Sequence, residues 1–143
     1  MIHGLDTSFL IAIEVSSHAD HSAARAKIQK MRRAGDRFAI TPLVIAEFIH
    51  VVTDSKRHEI PLEIEAALSR AEAWLSSPEI VYLTPGLDAH RVFLDWMRRF
   101  RLGRKRILDT QLAATFHALN VQSILTCNPN DFSTFGCFQI ETP

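Results

Sequence analysis

Three carboxylates of this chain stand in apolar company: Asp6 between Leu5 and Phe9-Leu10-Ile11, Glu47 within LVIAEFIHVV, and Asp109 within ILDTQLAATFHAL. A buried, unpaired carboxylate costs roughly several kcal/mol unless a cation, hydrogen-bond donors or a shifted pKa compensates it. Glu47 and His50 are the only polar residues from Leu43 to Val52, and their spacing puts them on one side of a helix. A helix apolar almost all round packs inside a protein, so Glu47 is expected to face the interior or a cleft wall. Oxygen donors of this kind suit a hard cation such as Mg²⁺ or Mn²⁺. Plainer roles exist as well. Asp6 can cap a helix, Asp109 can cap one beginning at Thr110, and His50 can be a satisfied interior histidine. Glu47, in mid-helix, has no capping role.

The acids are separated by 41 and 62 residues, so the order of elements must bring them together. Ile2 to Ala12 is a short buried strand running into a helix, with Asp6-Thr7-Ser8 at the changeover. A helix is expected from His18 to Ala34, stopped by Gly35, and a second strand from Arg37 to Ile40. Thr41-Pro42 then opens a helix through about Thr53. Pro61 to Ser76 is amphipathic, with Leu62, Ile64, Ala67, Leu68, Ala71 and Leu75 on its apolar side. A third strand covers Ile80 to Leu83, and helices follow at Leu87–Phe100 and, past Gly103, from about Leu108 to Leu119. Ser123–Thr126 and Phe138–Glu141 complete five strands. Strands alternating with helices imply a mainly parallel sheet covered on both faces. Each of the three acids falls at the C-terminal end of a strand or in a helix that starts there, the edge where open α/β sheets bind ligands.

Composition narrows the function classes. The chain has 143 residues, 47% hydrophobic and 22% charged, which fits one domain over residues 1–143 with no need of metal or disulfide staples. Its 16 basic and 16 acidic residues cancel, excluding a protein that coats nucleic acid by bulk charge. Cys127 and Cys137 form no disulfide framework and have no sequence neighbours at zinc spacing, consistent with a reducing, cytoplasmic location. No apolar run approaches the roughly 20 residues that span a bilayer. Phosphate-loop, dinucleotide-turn and nucleophile-elbow motifs are absent. His18 and His21, three apart at an exposed helix start, are expected to be incidental, and Trp74 and Trp96 to be core or interface residues. From Arg91 to Arg106 run seven basic residues against the single acid Asp95, leading directly into Asp109.

The pieces LDTSFLIA, ITPLVIAEF, RILDTQLAAT and LTCNPNDF, in that order, resemble the PIN-domain family, and within it the VapC-type toxin ribonucleases of toxin–antitoxin systems. The resemblance covers essentially the whole chain and is carried by the ordered set. It implies a three-layer α/β/α fold with a mainly parallel five-stranded sheet. It also implies that Asp6, Glu47 and Asp109 hold Mg²⁺ or Mn²⁺ and form the catalytic centre, with Thr7 or Ser8 as a supporting hydroxyl. The family often has a fourth acid where this chain has Asn128, with Asp131 three residues further on. Asn128 is therefore expected as a peripheral contact, Asp131 standing behind it. The implied activity is endonucleolytic cleavage of RNA, such as tRNA or another structured RNA. The basic run itself, a solvated helix face in its plainer role, leads into Asp109 and so offers Arg101, Arg104 and Lys105 to the flanking phosphates. The implied partners are a second copy and an antitoxin, with helices 18–34 and 61–76 as candidate surfaces. A catalytically silent RNA-binding or scaffolding module of the same fold is the alternative.

Overall fold

Short apolar runs bounded by turns become five strands, and every pairing between them is parallel. The computed structural model describes residues 1–143. In chain order they form β1 (Ile2–Leu5), α1 (Thr7–Glu14), α2 (His21–Arg33), β2 (Arg37–Ile40), α3 (Pro42–Val52), α4 (Ile64–Leu75), β3 (Ile80–Tyr82) and α5 (Leu87–Arg99). A 3₁₀ turn at Arg104–Arg106 leads into α6 (Ile107–Ala118), followed by β4 (Ser123–Leu125), α7 (Asn130–Ser133) and β5 (Gln139–Glu141). The sheet order is β3-β2-β1-β4-β5.

That order dictates the layers. Right-handed crossovers from β1 to β2 to β3 carry α1–α4 onto one face, and the return to β4 and β5 carries α5–α7 onto the other. The packing agrees, since α1 lies against α2 and α3, α3 against α4, and α6 against α5 and α7. The chain thus has the α/β/α architecture implied above. Because all strands run the same way, their C-terminal ends share one edge. The chain leaves β1 toward β2 on one side and has β4 on the other, so the switch point lies between β1 and β4.

The core closes around side chains with almost no exposure, among them Phe9, Phe38, Phe48, Phe116 and Phe132. After their first residue β1 and β2 are entirely buried, as strands covered on both faces must be. Trp74 and Trp96 are buried, and Trp96 stacks on Phe135 with ring centroids 4.5 Å apart. Gly4 has a specific reason: a Cβ there would lie 2.5 Å from Cε2 of Phe116. The missing side chain lets α6 press its phenylalanine onto the central strand.

Several expectations are corrected. The second helix begins at His21, because His18 to Asp20 form a turn. The fourth begins at Ile64 and turns Ala67, Ala71 and Trp74 inward, leaving Ile64, Leu68 and Leu75 exposed. Its apolar residues span a wider arc than the sheet can cover, and the smaller side chains take the close side. The helix carrying Asp109 starts at Ile107, so Asp109 lies within its first turn and caps nothing. On α3 only Val44, Phe48, Val51 and Val52 are fully buried, and His50 is exposed rather than interior. The four-residue α7 was too short to leave a periodic signature.

Replacing Gly4 by alanine should destabilise the fold by about 1–3 kcal/mol, the usual cost of forcing a methyl into a packed core. Thermal unfolding checks this, and Phe116→Leu in the same chain should recover part of the loss.

Candidate active site

Asp6 follows β1 directly, and its backbone N–H donates to the carbonyl of Leu125 at 3.0 Å, extending the β1–β4 pairing by one residue. Its extended backbone puts it at the N-cap position of α1, yet its side chain makes no capping bond. Instead Oδ2 accepts from Ser8 Oγ at 2.5 Å and from Thr126 Oγ1 at 2.7 Å. Both hydroxyls are fixed in turn by backbone donors: Cys127 N–H reaches Ser8 Oγ at 3.0 Å, and Asn128 N–H reaches Thr126 Oγ1 at 2.9 Å. Each therefore directs its own proton at Asp6. Burial raises the Asp6 pKa, the two hydroxyls oppose it, and the charge of Glu47 adds to it.

Glu47 comes from α3, whose start is set by Pro42 in the first turn and by Thr41, whose Oγ1 accepts the Val44 N–H at 3.4 Å. Thr7 Oγ1 donates to Glu47 Oε2 at 2.7 Å. Thr7 and Ser8 thus divide the work, one hydroxyl for each of the first two acids.

Asp109 is drawn into the same field. Its pKa is pushed up to about 6, first by burial, then by the charges of Asp131 and Asp6, against the pull of Arg106 and with a further push from Glu47. Arg106 Nε lies 3.9 Å from Asp109 Oδ2, and another guanidinium nitrogen donates to the backbone carbonyl of Asp131. That Nε is buried and has no hydrogen-bond partner. The charges of Asp6, Glu47 and Asp131 all bear on Asp109, so four carboxylates act on one another at the β1/β4 switch point, with the Arg106 guanidinium at their border. Oxygen-only donors, short of cationic charge and partly desolvated, fit a hard divalent cation.

The remaining expected residues fall around this pocket. Asn128 is exposed and contributes its backbone N–H to Thr126, whereas Asp131 is the acid whose charge reaches Asp109. Arg101, Arg104 and Lys105 are exposed in the segment between α5 and α6. Farther back, Arg91 pairs with Asp88 at 3.8 Å and Arg99 with Asp95 at 3.0 Å, so part of the basic run is spent on its own helix. His21 Nδ1 lies 2.9 Å from the Ala12 carbonyl and ties α2 to α1. His18, expected to be incidental, sits with Asp20 beside Cys127, whose N–H holds Ser8. The Cys127 thiol pKa is pushed up to about 11 by burial and then by the charge of Asp20. Two residues of the site escaped the sequence reading, Thr126 and Arg106. Thr126 carried a signal as the residue leaving a strand within LTCNPNDF; Arg106 was hidden among its basic neighbours.

Comparison with known proteins agrees with this architecture. Residues 5–136 match the PIN domain, and the chain belongs to that family. Among its relatives are ribonuclease VapC31 of Mycobacterium tuberculosis, 29% identical over 82 residues, and ribonuclease VapC25 of the same species, 29% identical over 90 residues. These alignments take in 57% and 63% of this chain, and the chain spans 58% and 63% of the two relatives. In fold it is similar to M. tuberculosis VapC20, a Sarcin-Ricin loop cleaving toxin, with a TM-score of 0.72, 19% identity and 96% of both chains covered. It is likewise similar to a chain of VapBC2 from Rickettsia felis, solved bound to a promoter DNA fragment, with a TM-score of 0.73, 16% identity and coverage of 100% and 99%.

The raised pKa of Asp109 sets a pH dependence. The folded state holds this proton up to about pH 6, whereas the unfolded chain releases it near the ordinary aspartate value of 3.8. Stability from this residue therefore falls as pH rises between those values and stays lowered above them. In a chelating buffer Asp109→Asn should melt higher than the wild type at pH 8, and the difference should close near pH 4.

Proposed function

We propose that this chain is a divalent-metal-dependent endoribonuclease of the VapC type, the toxin of a toxin–antitoxin pair, acting on tRNA or another structured RNA. The carrying observation is the set of mutually coupled carboxylates at the β1/β4 edge. Asp6, Glu47 and Asp109 would hold Mg²⁺ or Mn²⁺, with Asp131 beside them in preference to Asn128. Bound there, such an ion supplies Lewis acidity toward a phosphate oxygen and lowers the pKa of a coordinated water.

The chain's own residues do the rest. Ser8 and Thr126 lock the rotamer of Asp6, and Thr7 locks Glu47, so the oxygen donors are set before a ligand arrives. Arg106 neutralises part of the acidic field on the side where Asp109 and Asp131 meet. Arg101, Arg104 and Lys105 extend from the neighbouring segment toward the phosphates flanking the cut. No helix is long and apolar enough to cross a membrane. Ile60, Ile64, Leu68 and Leu75 are exposed on and just before α4, an apolar surface suited to an antitoxin or a second copy. The VapBC structures among the fold relatives lend support to the antitoxin.

In calorimetric Mn²⁺ titrations paired with RNA cleavage assays, Asp6→Asn should lose metal binding and cleavage together. Its loss should exceed the roughly 10–100-fold expected for Thr126→Val, which removes only an orienting hydroxyl. Metal-independent RNA binding without cleavage by the wild type would favour the silent module instead. Neutralising Arg101, Arg104 and Lys105 together should lower the slope of log affinity against log salt by about 2, at about 0.7 per contact on single-stranded RNA.

A further inference from the structure

The turn between α1 and α2 and the segment leaving β4 bring three unlike metal-binding groups together. A ring nitrogen of His18, a carboxylate oxygen of Asp20 and Sγ of Cys127 all lie within 4.8 Å of one another. None belongs to the acidic pocket, and none is committed to a strong partner. Asp20 occupies the N-cap position of α2 but makes no side-chain capping bond. The Asp20 N–H donates to His18 Nδ1 at 3.1 Å, a neutral bond in an exposed turn. Sγ has only a weak 3.6 Å contact to the Ser8 carbonyl. We propose that His18, Asp20 and Cys127 form a second metal site, distinct from the carboxylate pocket, that takes a borderline-soft divalent ion of the Zn²⁺ class and damps the activity of that pocket.

The donor chemistry separates the two sites. Thiolate, imidazole and a single carboxylate are the ligands of Zn²⁺ and Co²⁺, whereas Mg²⁺ takes oxygen. Tetrahedral coordination at ordinary bond lengths sets neighbouring donors about 3.3–3.6 Å apart. The three groups need to close by about an ångström, and an exposed turn such as His18–Asp20 can move that far. Three protein ligands leave the fourth position to water. On binding, the thiol proton is released to solvent and sulfur donates its electron pair to the metal.

Coupling to the acidic pocket runs through two hydrogen bonds. The Cys127 N–H holds Ser8 Oγ at 3.0 Å, and Ser8 Oγ holds Asp6 Oδ2 at 2.5 Å. Any part of that closure taken up by Cys127 draws its N–H away from Ser8 and weakens one of the two hydroxyl contacts that hold the Asp6 side chain, leaving Thr126 as the other. The damping half of the proposal rests on the nuclease reading; the metal site itself does not.

Titration of the full chain with Co²⁺ tests the site directly, because a thiolate ligand gives a near-ultraviolet charge-transfer band that carboxylates alone do not. One Co²⁺ per chain should produce the band in the wild type and in Asp6→Asn. Cys127→Ser should abolish it with Cys137 intact, and His18→Gln and Asp20→Asn should weaken it. In RNA cleavage assays with saturating Mg²⁺, added Zn²⁺ should slow the wild type by about tenfold, an ordinary coupling between two sites, and His18→Gln far less. Absence of the band, or a band untouched in both His18→Gln and Asp20→Asn, would overturn the site. Equal Zn²⁺ inhibition of the wild type, Cys127→Ser and His18→Gln would overturn the damping. A chain that shows the band but never cleaves RNA would support the metal site and overturn the nuclease reading.

Discussion

Carboxylates repel one another most strongly where water is scarce, and four of them act on one another at the C-terminal edge of this sheet with one guanidinium at their border. Much of the local structure answers that repulsion. Threonine and serine hydroxyls, each held by a backbone N–H or placed at a helix start, point protons at the acids. α6 lifts Asp109 only partly out of solvent, and Arg106 comes in from the 3₁₀ turn before it. An all-parallel sheet makes the gathering feasible, since only there do all strands deliver their ends to a single edge.

That geometry explains what could be seen in advance. The apolar strand runs and the Thr41-Pro42 and Gly35 punctuation are local signals, and they located the strands to within a residue. Asp6, Glu47 and Asp109 stood out because a charge in an apolar run is conspicuous without any knowledge of its partners. Thr126 did not stand out, because a threonine leaving a strand is ordinary until it lies 2.7 Å from a carboxylate supplied by another strand. Arg106 was one cation among seven from Arg91 onward, and only the fold singles out the one whose side chain turns inward. The inward face of α4 was misjudged because periodicity names an apolar arc but not the part the sheet covers. His18 and Cys127 are 109 positions apart, and no local pattern could announce their meeting.

The zero net charge proves to be a sum of separate local fields. Acids gather at the β1/β4 edge and bases in the segment between α5 and α6, while two ion pairs along α5 engage Arg91 and Arg99. A polyanion would meet opposing fields in succession as it approached this end of the molecule. Orientation, more than bulk attraction, then governs the encounter.

The backbone bond from Asp6 to Leu125 joins positions 119 residues apart, and it gives the pocket a place in time. At translation rates of about 5–20 residues per second, β1 waits roughly 6–24 s for the strand that will flank it. Until β4 docks, Asp6 lacks Thr126, and Ser8 lacks the Cys127 N–H that aims it. Closing so long a loop is also the entropically slower part of folding. The N-terminal half of a nascent chain therefore carries two of the acids without the geometry that makes them a site, and whatever chemistry the pocket performs is withheld until the chain is nearly complete.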